Sequence, residues 1–130
     1  MIPGERRSGV LLLSVAPEAH VLLTQALRAR GIPVHLARSG KQAASKLRHR
    51  PALILVDLVH GPGLDRVSIV HMNNSRGMSA LLGVHEGDLG RFAEELEDLV
   101  VDGFCRMGEW SPIVDLAAQS LDVLTTAARH

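Results

Sequence analysis

Short, uninterrupted apolar runs recur along this chain between longer segments of helical periodicity, and they constrain its fold more than any other feature. VLLLSV (10–15), ALILVDL (52–58) and SALLGV (79–84) have no polar face to turn to water. Strands of this kind must be covered on both sides, as in a parallel sheet flanked by helices. PVHLAR (33–38), with Val34 and Leu36 on one face, and GFCRM (103–107) read as two further strands.

The intervening segments carry helix signals. In PEAHVLLTQALRARG, Pro17 suits a first turn and Gly31 a C-terminal stop. Ala19, Leu22, Leu23, Ala26 and Leu27 fall at i, i+3, i+4, i+7 and i+8, which predicts one buried stripe. SGKQAASKLRHR (39–50) reads as a short basic helix ended by Pro51. GLDRVSIVHMNNSRG (63–77) has Val67 and Val70 at helical spacing, and NNSRG interrupts it. Asp88 is placed to cap LGRFAEELEDLV, whose Phe92, Leu96, Leu99 and Val100 share a face. SPIVDLAAQSLDVLTTAARH opens with Ser111 as cap and Pro112 as first helical residue, with Ile113, Leu116, Ala117, Leu121 and Leu124 turned inward. The order is strand then helix, repeated five times, within one α/β domain spanning residues 1–130 with its core from about 10 to 128.

Composition limits the function classes. The chain of 130 residues is 46% hydrophobic, with Phe92, Phe104 and Trp110 as its aromatic residues, so the core is aliphatic. A net charge of zero argues against non-specific nucleic-acid binding. The charge is unevenly spread: Arg28, Arg30, Arg38, Lys41, Lys46, Arg48 and Arg50 lie in a stretch without acids, whereas Glu86, Asp88, Glu94, Glu95, Glu97 and Asp98 are concentrated together. The basic stretch has no interleaved aromatics and no helix-turn-helix beside it, so it reads as a solvated or protein-docking face. Cys105 is the single cysteine, which rules out an internal disulfide and a cysteine-based zinc cluster. No apolar run reaches the length of a membrane span, and the expected setting is the reducing cytoplasm.

The run ALILVDLVHGPGLD (52–65) delivers one carboxylate, Asp57, to the tip of the third strand, directly before a Gly/Pro loop. Together with ALRARGIPVHLARSGKQAASKLR before it and DGFCRMGEWSPIVDL after it, this arrangement resembles the receiver domain of bacterial two-component response regulators, from about Val10 to Ala128. The resemblance implies a flavodoxin-like, doubly wound (βα)5 parallel sheet of order 2-1-3-4-5, with functional groups at the carboxyl ends of the strands. It also implies that Asp57 stands at the position where receivers accept a phosphoryl group.

The partners that this chemistry needs are replaced. Where receivers carry a magnesium-binding acid pair after strand one, this chain has Ser14 and Val15, and valine offers no oxygen ligand. The hydroxyl position at the end of strand four holds His85, followed by Glu86. The lysine position at the end of strand five holds Met107. The switch aromatic is kept as Phe104. Phosphoryl transfer depends on positioning and on metal or cationic charge. The resemblance therefore implies a pseudo-receiver with Asp57 as a vestigial acceptor, no catalytic residues, no metal and no cofactor. A residual phospho-acceptor at Asp57 and a small-ligand-sensing receiver are the alternatives. A metal held by His60 and His85 with Cys105 or Met107 lacks supporting spacing. A charge-assisted pair between His85 and Asp57 is the preferred local arrangement.

The expected role is a phosphorylation-independent interaction module in bacterial signal transduction or transcription regulation. Its partner is a protein or a second copy, bound through the fourth helix, fifth strand and fifth helix, with no membrane and no direct nucleic-acid contact. Candidate interface residues are Trp110, which has no obvious core role, and Glu94, Glu95 and Glu97.

Overall fold

The apolar runs become the centre of a five-stranded parallel sheet of order β2-β1-β3-β4-β5. The strands are β1 (Val10–Leu13), β2 (Val34–Ala37), β3 (Leu53–Asp57), β4 (Ala80–His85) and β5 (Gly103–Arg106). The structure, a computed structural model, describes residues 9–60, 65–77, 79–87, 97 and 100–128, with the side chains of the terminal helix described to Gln119. The helices are α1 (Val21–Ala29), preceded by a 3-10 turn at Pro17–His20; α2 (Gly40–Lys46), followed by a 3-10 turn at Leu47–His49; α3 (Arg66–Ser75); and the terminal α4 (Trp110–Ala128). The expected helix over 88–100 lies largely outside the described residues, as do Glu94 and Glu95. Glu97 and Val100 are exposed. Among the described residues no helix is long and apolar enough to cross a membrane.

Every residue of β1 and β3 is buried because helices cover both faces of the sheet. Alternate side chains divide the core in two. Leu11, Leu13, Ile54, Val56 and Leu81 pack with Ala43 of α2 and with Ile69 and Met72 of α3. Val10, Leu12, Leu53, Leu55 and Val84 pack with Leu23 and Leu27 of α1 and with Ile113, Val114 and Ala117 of α4. The register pairs Leu13 with Val56, so the loops after β1 and β3 emerge side by side. At the opposite end, Gly9 has a φ of +62°, and a Cβ there would run into the Pro33 carbonyl. The glycine lets β1 start against both neighbours.

Several expectations need correction. The 3-10 turn and helix α1 together bury His20, Leu23, Thr24 and Leu27, while Ala19 is exposed and Leu22 is 69% exposed. The stripe is rotated because two polar residues on it are satisfied: Thr24 Oγ1 donates to the His20 carbonyl oxygen (3.1 Å), and His20 finds an acid. Counting apolar residues alone finds Leu23, Leu27 and the partly buried Ala26, and misplaces Ala19 and Leu22. In α3 the buried pair is Ile69 and Met72, and Val67 and Val70 face outward. That helix is capped by Asp65, which accepts from Ser68 N (2.7 Å), and runs through Asn73 and Asn74; it stops before Gly77, whose φ is +58°. Leu36, on edge strand β2, is partly exposed. In α4 the helix begins at Trp110 and Leu116 faces outward, whereas Ile113 and Ala117 are buried as expected. The Leu121 and Leu124 side chains lie outside the description.

Candidate functional site

Asp57 ends the most buried strand, at the carboxyl edge of the sheet, and is itself 0% exposed. A buried carboxylate in an aliphatic core is strongly disfavoured unless hydrogen bonds replace its water. Five donors do so. Oδ1 accepts from the backbone N–H of Val59 (2.8 Å) and His60 (3.2 Å), which folds the loop after β3 back over the carboxyl group. Oδ2 accepts from Ser14 Oγ (2.6 Å), His20 Nε2 (2.9 Å) and His60 Nδ1 (2.9 Å). Burial on its own would raise the pKa of Asp57. The bonds from His20, Ser14 and His60 outweigh it and hold the group well below the usual carboxylate range. Two carboxylate oxygens offer about four lone-pair sites, so five donors leave the group saturated.

Each donor has a structural origin. Ser14 follows β1, and its Oγ also accepts from Ala16 N (3.0 Å), which fixes the first bend of the β1–α1 loop. His20 closes the 3-10 turn before α1 and is wholly buried. Its ring meets the Trp110 ring at 5.7 Å and the His60 ring at 5.9 Å, both edge-to-face. Its Nδ1 has no hydrogen-bond partner among the described residues. His60, on the loop after β3, is the most exposed member, with its side chain 33% exposed. The arrangement is not that of a serine nucleophile, because the Ser14 hydroxyl donates directly to the carboxylate and no histidine accepts its proton.

The structure separates most of the other positions named from the sequence. Val15 is exposed. The pairing of His85 with Asp57 is not formed: His85 Nδ1 accepts from Gly87 N (2.9 Å), and its ring stands edge-on to Phe104 at 6.2 Å. Phe104 is 45% exposed, and Glu86 is at the surface. Met107 donates its N–H to the His85 carbonyl oxygen (2.8 Å), and its side chain packs on the α1/α4 core. Trp110 does have a core role, since it packs on the same layer and lies beside His20. Cys105 is partly buried, and burial pushes its thiol up to about 11, as for an inert core residue.

His20 is the site residue that the sequence reading misses. One signal was available: His20, Leu23 and Leu27 stand at i, i+3 and i+7, so a helix burying both leucines also turns His20 inward.

The fold is that of response-regulator receiver domains. The receiver domain of a sensor histidine kinase from Pseudomonas aeruginosa, solved with a magnesium ion in its active-site cleft, is similar with a TM-score of 0.71 and 17% identity, over 89% of this chain and 98% of that one. The receiver domain of an HD-domain protein from Pseudomonas fluorescens gives 0.69 and 18%, over 96% and 94% of the two chains. The N-terminal domain of a three-domain response regulator with sensory-box and GGDEF parts, from Carboxydothermus hydrogenoformans, gives 0.68 and 17%, over 95% and 100%. No protein-family model and no curated protein sequence matches the chain.

Proposed function

We propose that this chain is a phosphorylation-independent receiver-fold module of bacterial two-component signalling, acting by binding a protein partner or a second copy of itself. The observation that carries the reading is the state of Asp57. Both of its carboxylate oxygens are already engaged: Oδ2 accepts three hydrogen bonds from the chain's own side chains and Oδ1 two from backbone N–H groups. Magnesium needs several oxygen ligands, and beside Asp57 the acid-pair positions hold a serine hydroxyl committed to that aspartate and an exposed valine. Met107, at the lysine position, brings no charge to a transferring phosphoryl group. The domain is accordingly not an enzyme. It works in the cytoplasm, and its His20, His60 and Ser14 donors fix one arrangement of the loops that phosphorylation would otherwise switch.

The surface proposed for partners is the edge formed by β5 and α4 with the segment that precedes β5. Phe104 supplies an exposed aromatic there, with Val100 and Glu97 exposed in the preceding segment. Trp110, committed to His20, is a support of this surface and not its anchor. Intact-mass measurement after incubation with acetyl phosphate and magnesium tests the reading. An unchanged mass is expected, and a stoichiometric phosphoryl adduct on Asp57 overturns it.

A further inference from the structure

His20, Asp57 and His60 also form a set of metal-ligating atoms. His20 Nε2 and His60 Nδ1 each lie 2.9 Å from Asp57 Oδ2, and the three atoms are all within 4.8 Å of one another. Zinc–ligand bonds are roughly 2.0–2.2 Å, which puts neighbouring ligands of a tetrahedral ion about 3.3 Å apart. The nitrogen–oxygen separations here are a few tenths of an ångström shorter, so a small outward movement of His60, the exposed member, opens room for an ion. Ser14 Oγ and the Val59 and His60 N–H groups meanwhile keep the carboxylate oriented, as the outer hydrogen bonds of metal sites do.

We infer that His20, Asp57 and His60 bind one divalent transition cation of the zinc, cobalt and nickel class, at the place where a receiver would hold magnesium. The donor set decides the class. Two imidazoles and one carboxylate suit borderline cations, whereas magnesium prefers oxygen and gives up its waters reluctantly. In the metal-free protein the two ring nitrogens donate to Asp57. To bind a cation they present lone pairs, and the ring protons move to His20 Nδ1 and His60 Nε2. His20 Nδ1 is the buried atom without a partner among the described residues, on the ring that meets Trp110 edge-to-face. His60 is the ligand with solvent exposure, its side chain being 33% exposed. The inference shares Asp57 with the proposed function but does not depend on it, because a chain inert to phosphate either binds cobalt or does not.

Trp110, the single tryptophan, gives a local readout 5.7 Å from the His20 ring. Titrating the untagged protein with cobalt or nickel, both paramagnetic, is expected to quench its fluorescence saturably at one equivalent. Zinc should compete the quenching away, and millimolar magnesium should have no effect. His60→Ala, at an exposed position, and Asp57→Asn should each weaken binding by at least ~10-fold, while His85→Ala and His49→Ala leave it unchanged. Absence of quenching up to about 1 mM cation, or affinity untouched by His60→Ala in a folded variant, overturns the inference. The phosphoryl-adduct measurement is scored separately, so either reading can fail alone.

Discussion

Replacing Asp57 by asparagine keeps the shape of the side chain and removes its charge, so it isolates what the carboxylate does. The amide oxygen can keep the Val59 and His60 N–H bonds at the Oδ1 position. The amide nitrogen then stands where Oδ2 accepted Ser14, His20 and His60, which sets a donor against three donors. Ser14 can rotate, and His60 can turn to solvent. His20 is fully buried, and its Nε2 can accept from the amide only if the ring proton moves to Nδ1, a buried atom with no partner among the described residues. Bonds to charged groups contribute about 1.5–3 kcal/mol each, and removing one partner of a buried ionic cluster costs about 3–5 kcal/mol. With partial recovery by Ser14 and His60, Asp57→Asn should destabilise the fold by about 3 kcal/mol. That is a large part of a small domain's total of about 5–15 kcal/mol. Urea unfolding at pH 7 should show a lower midpoint with an unchanged slope. His20→Gln should also destabilise, and the double variant should cost at least about 1 kcal/mol less than the sum, because both changes break the same bond. In a site where acids crowd one another, neutralising one would relieve repulsion. A midpoint that stays put or rises in Asp57→Asn would therefore refute the view that Asp57 is held by neutralising partners.

Three further outcomes follow from the same geometry. The Asp57 pKa is depressed by folding, so its contribution is complete above the ordinary value of 3.8 and is lost as pH falls below it toward the folded value; acid unfolding below about pH 4 should be steep in the wild type and flatter in Asp57→Asn. At Gly83 a Cβ would come 2.8 Å from Leu58 Cδ1 and 3.0 Å from Phe104 Cδ1, so Gly83→Ala should cost about 1–3 kcal/mol by overpacking, measured by the same urea midpoint. Phe104→Ala and Glu97→Lys should weaken partner binding or self-association, read by pull-down and sedimentation, with the thermal midpoint little changed; indifference to both would move the working surface elsewhere.

The sheet was legible because strands covered on both faces leave no room for polar residues, and β1 and β3 obey that rule along their length. Asp57 was legible for the complementary reason: a single acid at the end of such a run needs an explanation. The donors around it were less accessible. Ser14 stood in a recognisable position, but its contact depends on the register of Leu13 with Val56, which brings two loops 43 residues apart in sequence side by side. His20 was hidden by a rule that counts apolar side chains as the inward face. Thr24 and His20 occupy that face because each has its hydrogen bond, and the pattern of hydrophobic residues carries no record of such bonds. His85 looked like the partner of Asp57 because it ends the neighbouring strand, yet it turns back onto the Gly87 N–H and Phe104. Trp110 looked spare because its ring contact, His20, was not on the expected stripe.

The most direct test of the account is the response of the amide NMR spectrum to beryllofluoride with magnesium, which together mimic a phosphoryl group on an accepting aspartate. Asp57 saturated by Ser14, His20 and His60 predicts that residues 57–60, 85 and 104–107 keep their chemical shifts through millimolar additions of both. A saturable shift of those amides that disappears in Asp57→Asn would mean that the carboxylate is free to accept a phosphoryl group, and would contradict the account at its centre.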